Sequence, residues 1–138
     1  ATSNLNLMFK GATAYYEQAA AGSQGIVSGT AGHCIVGTTS LLPSTPGLAK
    51  QQTNFLAVPE FKSLGFNISD PVYFGYRVLA LGGTSACAQT ASTALYTFVA
   101  MGDLDGDNVF SRFELAAGSD ASNVMYHSVG VYVANEGE

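Results

Sequence analysis

Residues 93–114 read TALYTFVAMGDLDGDNVFSRFE, an apolar and aromatic run that leads directly into an acidic loop. The first part, Thr93–Met101, is rich in the β-branched and aromatic residues that favour strands, so we expect a strand there. The loop that follows, Asp103–Glu114, carries acidic residues at relative positions one, three, five and twelve. Only its exit, Ser111–Ala117, has a helical composition. A loop entered from a strand differs from the helix-loop-helix calcium sensors, so we expect no opening transition.

The spacing of the acidic residues predicts a calcium site. Calcium takes roughly six to eight oxygen ligands, and alternating carboxylates closed by a bidentate carboxylate supply them from a short loop. The sixth position carries Asn108 instead of glycine, and asparagine tolerates the positive φ needed there. A plain turn of Asp-Gly and Asp-Asn pairs is the alternative, although it requires neither Glu114 nor Phe110. The predicted ligands are Asp103, Asp105, Asp107, the carbonyl of Val109, Ser111 (directly or through water) and Glu114.

The composition indicates one compact, turn-rich domain of extracellular type. The chain has 138 residues, of which 47% are hydrophobic and only 11% charged, with 16 glycines. The formal net charge is −5 and the five basic residues are scattered singly, so nucleic acid is not expected as a partner. No apolar run reaches the roughly eighteen residues of a membrane span. We therefore expect a soluble, mature or truncated form.

The two cysteines, Cys34 and Cys87, are 53 positions apart. An even pair in a glycine-rich, charge-poor chain favours an oxidising compartment and one disulfide, which would contribute roughly 3–4 kcal/mol by closing a long loop. Two free thiols in a reduced compartment are the alternative. A metal site is disfavoured, because the cysteines lack paired spacing and only His33 and His127 could add ligands.

The remaining pattern divides the domain, residues 1–138, into three parts. Residues 1–21 carry apolar side chains at three- and four-residue spacing and predict an amphipathic helix. Residues 22–63 form a connection rich in Gly, Ser, Thr and Pro, with a short helix over 53–62 that Pro59 would interrupt. Residues 64–138 contain the sheet and the acidic loop. The apolar helix positions are Leu5, Met8, Phe9, Ala12, Tyr15, Tyr16 and Ala19.

Two further strands are expected beside Thr93–Met101. Val72–Leu81 alternates between two faces, with Val72, Phe74, Tyr76 and Val78 on one and Tyr73, Arg77 and Leu79 on the other. Ser128–Ala134 places Val129, Val131 and Val133 on one face. Short links between consecutive strands favour an antiparallel meander.

Chemistry-bearing motifs are few, and we expect no catalytic residues and no enzymatic activity. A nucleophile needs a base within reach, but His33 and Cys34 are adjacent and would point in opposite directions in an extended segment. Neither a nucleophile elbow nor a phosphate-cradling loop is present in the sequence. Asn67-Ile68-Ser69 fits the N-glycosylation pattern, and equally a polar turn.

The order of these features resembles the globular head of a bacterial type IV pilin-like protein or pseudopilin. The matching stretches are Thr2–Tyr16, Leu64–Phe66 with Asp70–Tyr76, Gly102–Asp107 and Val133–Glu136. The resemblance implies an α+β fold, in which a long N-terminal amphipathic helix packs on an antiparallel β-sheet of about four strands. It also implies a calcium-type loop after a sheet strand, held by Asp103, Asp105, Asp107 and Glu114, and a Cys34–Cys87 link between the post-helix loop and the sheet.

The same resemblance implies a structural subunit of a type IV pilus or secretion pseudopilus. Its partners would be other pilin subunits and the inner-membrane assembly machinery, and it would be anchored in the inner membrane before assembly into an extracellular filament or periplasmic pseudopilus. The apolar first half of the pilin helix and its processing site are not part of the sequence, so we expect a truncated piece. The globular chain of a split pilin is one alternative. A free-standing extracellular calcium-dependent binding or adhesion module is the other.

Overall fold

One long helix precedes an antiparallel sheet, which confirms the expected α+β class. The computed structural model describes residues 2–21 and 33–135. Two short helical segments lie between the long helix and the sheet. The elements are α1 (Thr2–Ala21), a single 3₁₀ turn (Phe55–Ala57), α2 (Pro59–Ser63), β1 (Gly75–Ala80), β2 (Ala94–Gly102), β3 (Ser111–Ser119), β4 (Met125–His127) and β5 (Tyr132–Ala134). No helix within these described ranges combines the length and apolarity needed to cross a membrane.

The apolar stripe of α1 faces the sheet, as its spacing predicts. Leu5, Met8, Ala12 and Tyr16 are fully buried. They lie three or four positions apart, which places them on one side of an α-helix. Against them pack side chains from β2, β3 and β4 that complete the core, including Phe98, Leu115 and Met125. Burial of this stripe is what holds the helix on the sheet.

Two hydrogen bonds fix the position of α1 along the sheet. Near its start, the Asn4 amide donates to the hydroxyl of Tyr76 on β1 at 2.9 Å. Toward its other end, the Tyr16 hydroxyl donates to the Asn123 side-chain oxygen, at 2.5 Å, in the turn between β3 and β4. The helix is therefore anchored near one end to β1, at one edge of the sheet, and toward the other end to the β3–β4 turn, at the opposite edge.

The sheet runs in the order β1-β2-β3-β4, and β5 also pairs with β3. All pairings are antiparallel. β4 lies opposite Ala117–Ser119 and β5 opposite Arg112–Glu114, so the two short strands form one interrupted edge beside β3. β2 and β3 are the central strands. The loop that joins them is the acidic loop.

The helical composition of Ser111–Ala117 is misleading, because these residues belong to β3. Side chains alternate between the two faces of a strand. Leu115 and Ala117 are buried beneath α1, whereas Glu114 and Ala116 lie on the opposite face, which we call the outer face. Pairing with β2 along the whole segment outweighs the helix propensity of Arg, Glu, Leu and Ala.

The other predicted elements are confirmed in part. The strands expected over Val72–Leu81 and Thr93–Met101 correspond to β1 and β2. The one expected over Ser128–Ala134 is reduced to β5, and β4 was not expected. The predicted helix over 53–62 is divided at Val58, which is extended (φ −95°, ψ 119°) because Pro59 follows it and begins α2.

The free edge of β1 is covered by the segment 35–51, which we call the strap. In the strap, the backbone of Leu42 exchanges hydrogen bonds with that of Tyr76 on β1. The backbone of Gln51 does the same with Val72, which lies just before β1. The predicted disulfide is confirmed: Cys34 is bonded to Cys87 just before the strap. Residues 22–32 of the predicted connection lie outside the described residues, as do the tail glutamates Glu136 and Glu138.

Candidate metal centre

The acidic loop is folded around the carboxylate of Asp103, which directly follows β2. Asp103 is only 4% exposed. Its Oδ1 accepts hydrogen bonds from the backbone N–H groups of Gly106 (2.9 Å) and Asp107 (3.2 Å), and its Oδ2 accepts one from Asn108 (3.0 Å). A buried carboxylate needs such partners. The first acidic position therefore organises the loop backbone.

Two left-handed residues allow the loop to turn back on this carboxylate. Gly106 has φ +76° and Asn108 has φ +67°. Glycine adopts this conformation without strain, and asparagine is the best tolerated of the other residues. The positive φ expected at Asn108 from its sixth position is thus confirmed. The turn makes three successive N–H groups converge on Asp103.

The same turn brings three carboxylates together. One oxygen each from Asp103, Asp105 and Asp107 lies within 4.8 Å of the others, with Asp103 buried and the other two exposed. Asp105 Oδ1 accepts from the Asp107 N–H at 3.3 Å, and Asp107 Oδ1 accepts from the Val109 N–H at 2.8 Å. Each exposed carboxylate keeps a second oxygen for another ligand. The cluster could hold a metal ion, and an all-oxygen donor set suits a hard cation.

Two of the other predicted ligands, Ser111 and Glu114, have other partners in the structure. Ser111 is 1% exposed, and its hydroxyl donates to the Gly102 carbonyl at 3.3 Å. Glu114 is not part of the aspartate cluster; its Oε1 forms an ion pair with Arg112 Nη2 at 3.1 Å. Because a strand advances about 3.3 Å per residue, three residues of β3 carry Glu114 about 10 Å beyond Ser111. In a helix, which advances only about 1.5 Å per residue, Glu114 would have stayed closer to the loop.

The acidic loop also packs against the strap. A Cβ placed on Gly106 would lie 2.9 Å from the Leu48 side chain, so glycine permits this close approach. At the base of the loop, the ring of Phe74 covers Gly102, where a Cβ would lie 2.5 Å from the ring. The loop thus contacts both the strap and the residue that precedes β1. No sequence pattern indicated these contacts.

A second candidate surface lies on the outer face of the sheet, near the edge formed by β4 and β5. Two adjoining concavities of about 520 and 470 Å³ share Thr97, Ala116 and Ser128. Tyr126 and Tyr132, which are 54% and 62% exposed, flank them. The alternation of residues along a strand does not tell which of its two faces is buried. Only the position of α1 distinguishes the faces.

Comparison with known proteins found no relative: no protein-family model, curated protein or solved structure matches this chain. The fold, the aspartate cluster and the outer face are therefore the observations from which its function can be inferred.

Proposed function

We propose that this chain is the globular head of a type IV pilin-like subunit or pseudopilin, a structural component of a filament, and that its acidic loop binds calcium. The observation that carries the proposal is the packing of one 20-residue helix across a sheet whose two central strands are joined by the aspartate cluster. A subunit of this kind has no catalytic role. Its helix would continue, before Thr2, into the apolar half that forms the filament core.

The choice of calcium follows from the ligands. Three carboxylates without sulfur or imidazole favour calcium, magnesium or manganese over zinc. Two of them, Asp105 and Asp107, are exposed, and an open site of this kind suits calcium, which accepts irregular geometry and water ligands. Extracellular calcium modules have dissociation constants of about 10⁻⁴–10⁻³ M. Water would supply the positions that Ser111 and Glu114 do not fill.

The proposed role of the ion is structural. Three negative charges within 4.8 Å repel one another, and a bound cation removes this repulsion. Because the loop joins β2 to β3 and touches Leu48, neutralising it would also stabilise the strap against the sheet. The proposed partners are other pilin subunits and the inner-membrane assembly machinery. The disulfide agrees with a periplasmic or extracellular location.

Calcium binding is tested by thermal unfolding with calcium, with magnesium and with excess chelator. We expect calcium to raise the melting temperature, and Asp105→Asn to abolish the rise. Glu114→Gln is the matched control: it removes an acidic charge from β3, so we expect it to leave the calcium response intact. An unchanged melting temperature on chelation would contradict the calcium site without bearing on the filament.

The filament is tested on the native source. Intact surface or periplasmic filaments are purified, and their subunits are identified by mass spectrometry. We expect peptides of this chain together with an upstream segment of about twenty apolar residues after a prepilin cleavage site. A gene in which a plain secretion signal directly precedes Ala1 would reject the filament subunit.

The outer face supports a second candidate, a free-standing extracellular calcium-dependent binding or adhesion module. Tyr126 and Tyr132 border an open groove, as is common at binding surfaces. Such a module would carry a plain secretion signal and would be recovered as a single chain. A split pilin would instead be recovered with a second, short helical chain.

A further inference from the structure

We infer that Asn67 is a site of N-linked glycosylation. Among the asparagines of the chain, it alone has Ser or Thr two positions later, with Ile68 between. This pattern is the acceptor signal for oligosaccharide transfer, and it requires an accessible surface segment. Asn67 and Ser69 are both exposed. The inference goes beyond the proposed function and depends on neither calcium nor assembly.

The backbone presents the two acceptor residues together. Residues 66–69 belong to no helix or strand and lead from α2 toward β1. Phe66 is buried, Asn67 exposed, Ile68 half-buried against the core and Ser69 exposed. This alternation is that of an extended chain, in which residues two apart point to the same side. The Asn67 carboxamide and the Ser69 hydroxyl therefore face solvent on one side, while Phe66 and Ile68 anchor the other.

Both acceptor side chains are available. Within the parts of the chain that the structure describes, neither the carboxamide of Asn67 nor the hydroxyl of Ser69 forms a hydrogen bond. The Ser69 carbonyl, in contrast, accepts a bond of 2.7 Å from the Gln52 side chain, and the Phe66 N–H donates to Phe61 at 2.9 Å. The backbone of the segment is thus held in place while its two acceptor groups remain free.

Three other asparagine side chains form hydrogen bonds within the protein. The side chains of Asn4 and Asn123 hydrogen-bond to Tyr76 and Tyr16, and that of Asn135 donates to the Phe110 carbonyl. Asn54 is exposed but is followed by Phe55 and Leu56, so it has accessibility without the acceptor pattern. Asn54 therefore serves as a matched control.

The co-reactant is an oligosaccharide linked through a diphosphate to a lipid, and a membrane transferase catalyses the step. A bond forms between Asn67 Nδ2 and the anomeric carbon of the first sugar. The bond between that carbon and the diphosphate oxygen breaks, and the lipid diphosphate leaves. The amide proton passes to a base of the transferase. Ser69 acts as a positioning residue, since its hydroxyl is recognised but does not react.

The test uses the protein purified from its native source. Tryptic peptides are treated with a glycan-removing amidase in heavy-oxygen water and then analysed by mass spectrometry. Enzymatic release converts a glycosylated Asn67 into aspartate that carries the heavy isotope. We expect this label on the Asn67 peptide and none on the Asn54 peptide. A native protein whose Asn67 peptide is entirely unmodified before treatment would overturn the inference.

Variants expressed in the same source separate acceptor recognition from folding. Asn67→Gln and Ser69→Ala should each remove the glycan and sharpen the electrophoretic band, whereas Asn54→Gln should leave it unchanged. All three positions are exposed, so we expect unchanged circular dichroism spectra. A modification that persists at this peptide in Ser69→Ala would contradict recognition through the hydroxyl.

Discussion

The carbonyl oxygen of Leu64 occupies the space where a side chain at position 11 would begin. Gly11 lies in the middle of α1, and a Cβ added there would overlap this backbone oxygen. Leu64 directly follows α2 and caps it, and its own N–H is bonded to the Glu60 carbonyl, so it cannot move aside freely. A glycine that weakens an isolated helix is therefore what allows α1 and α2 to approach.

Gly11→Ala should lower the free energy of unfolding by about 1–3 kcal/mol, because a forced overlap in a packed interior costs that much. Helix propensity alone predicts instead that Gly11→Ala raises the free energy of unfolding, since alanine is favoured over glycine by about 1 kcal/mol in a helix interior. Chemical denaturation measures the difference. Ala14→Gly on the exposed side of α1 is the control, with an expected loss of about 1 kcal/mol from propensity alone. A stabilised Gly11→Ala protein would contradict the close approach.

The aspartates of the acidic loop should contribute unequally to the stability of the calcium-free protein. Asp103→Ala removes the acceptor of three backbone N–H groups and should destabilise the protein by about 1–3 kcal/mol even with chelator present. Asp105→Ala loses only one long hydrogen bond, which the exposed carboxylate accepts from the Asp107 N–H, so with chelator the loss of stability should stay within about 0.5 kcal/mol. Denaturation curves recorded with chelator compare the two. Equal losses would contradict the central position of Asp103.

Sequence alone predicted the elements in which the local pattern and the tertiary environment agree. The helix periodicity of Leu5, Met8, Ala12 and Tyr16 indicated a buried stripe, and the stripe is buried. The spacing of the aspartates predicted their convergence because positive φ is encoded locally, by Gly106 and Asn108.

Elements decided by long-range pairing could not be predicted in this way. Ser111–Ala117 contains good helix formers, and only its pairing with β2 makes it a strand. The separation of Glu114 from the aspartates follows from that same pairing. Contacts such as Leu48 with Gly106 and Leu64 with Gly11 join distant positions, and no local periodicity encodes them.

The disulfide should contribute about 3–4 kcal/mol to stability, because it closes a loop between residues 53 positions apart. Replacing both Cys34 and Cys87 with serine should lower the free energy of unfolding by this amount. Backbone hydrogen bonds between Ile35 and Ala86 would still hold the strap in the folded protein. Denaturation in urea measures the loss, and intact mass after alkylation verifies the pairing. Labelling of denatured protein before any reductant is added would contradict the disulfide.

The buried Tyr96 hydroxyl, which is hydrogen-bonded to the strap, should make the protein lose stability at alkaline pH. It accepts a hydrogen bond of 2.8 Å from the Val36 N–H, and burial raises the pKa of Tyr96 well above its ordinary value of 10.0. The pKa values of Tyr16 and Tyr76 are raised by burial as well. In the unfolded chain these tyrosines ionise near pH 10, whereas in the folded protein they remain protonated.

Above pH 10 the unfolded state therefore binds fewer protons than the native state, so stability falls as pH rises. We expect this tyrosine contribution to be constant below about pH 9 and to be lost from about pH 10 upward. Tyr96→Phe should reduce the alkaline slope. At neutral pH the same change should cost about 1–3 kcal/mol, because it leaves the buried Val36 N–H without its acceptor. Denaturation at stepped pH measures both effects, with tyrosinate absorbance reporting ionisation. An unchanged alkaline slope in Tyr96→Phe would show that Tyr96 ionises equally in the folded and unfolded states.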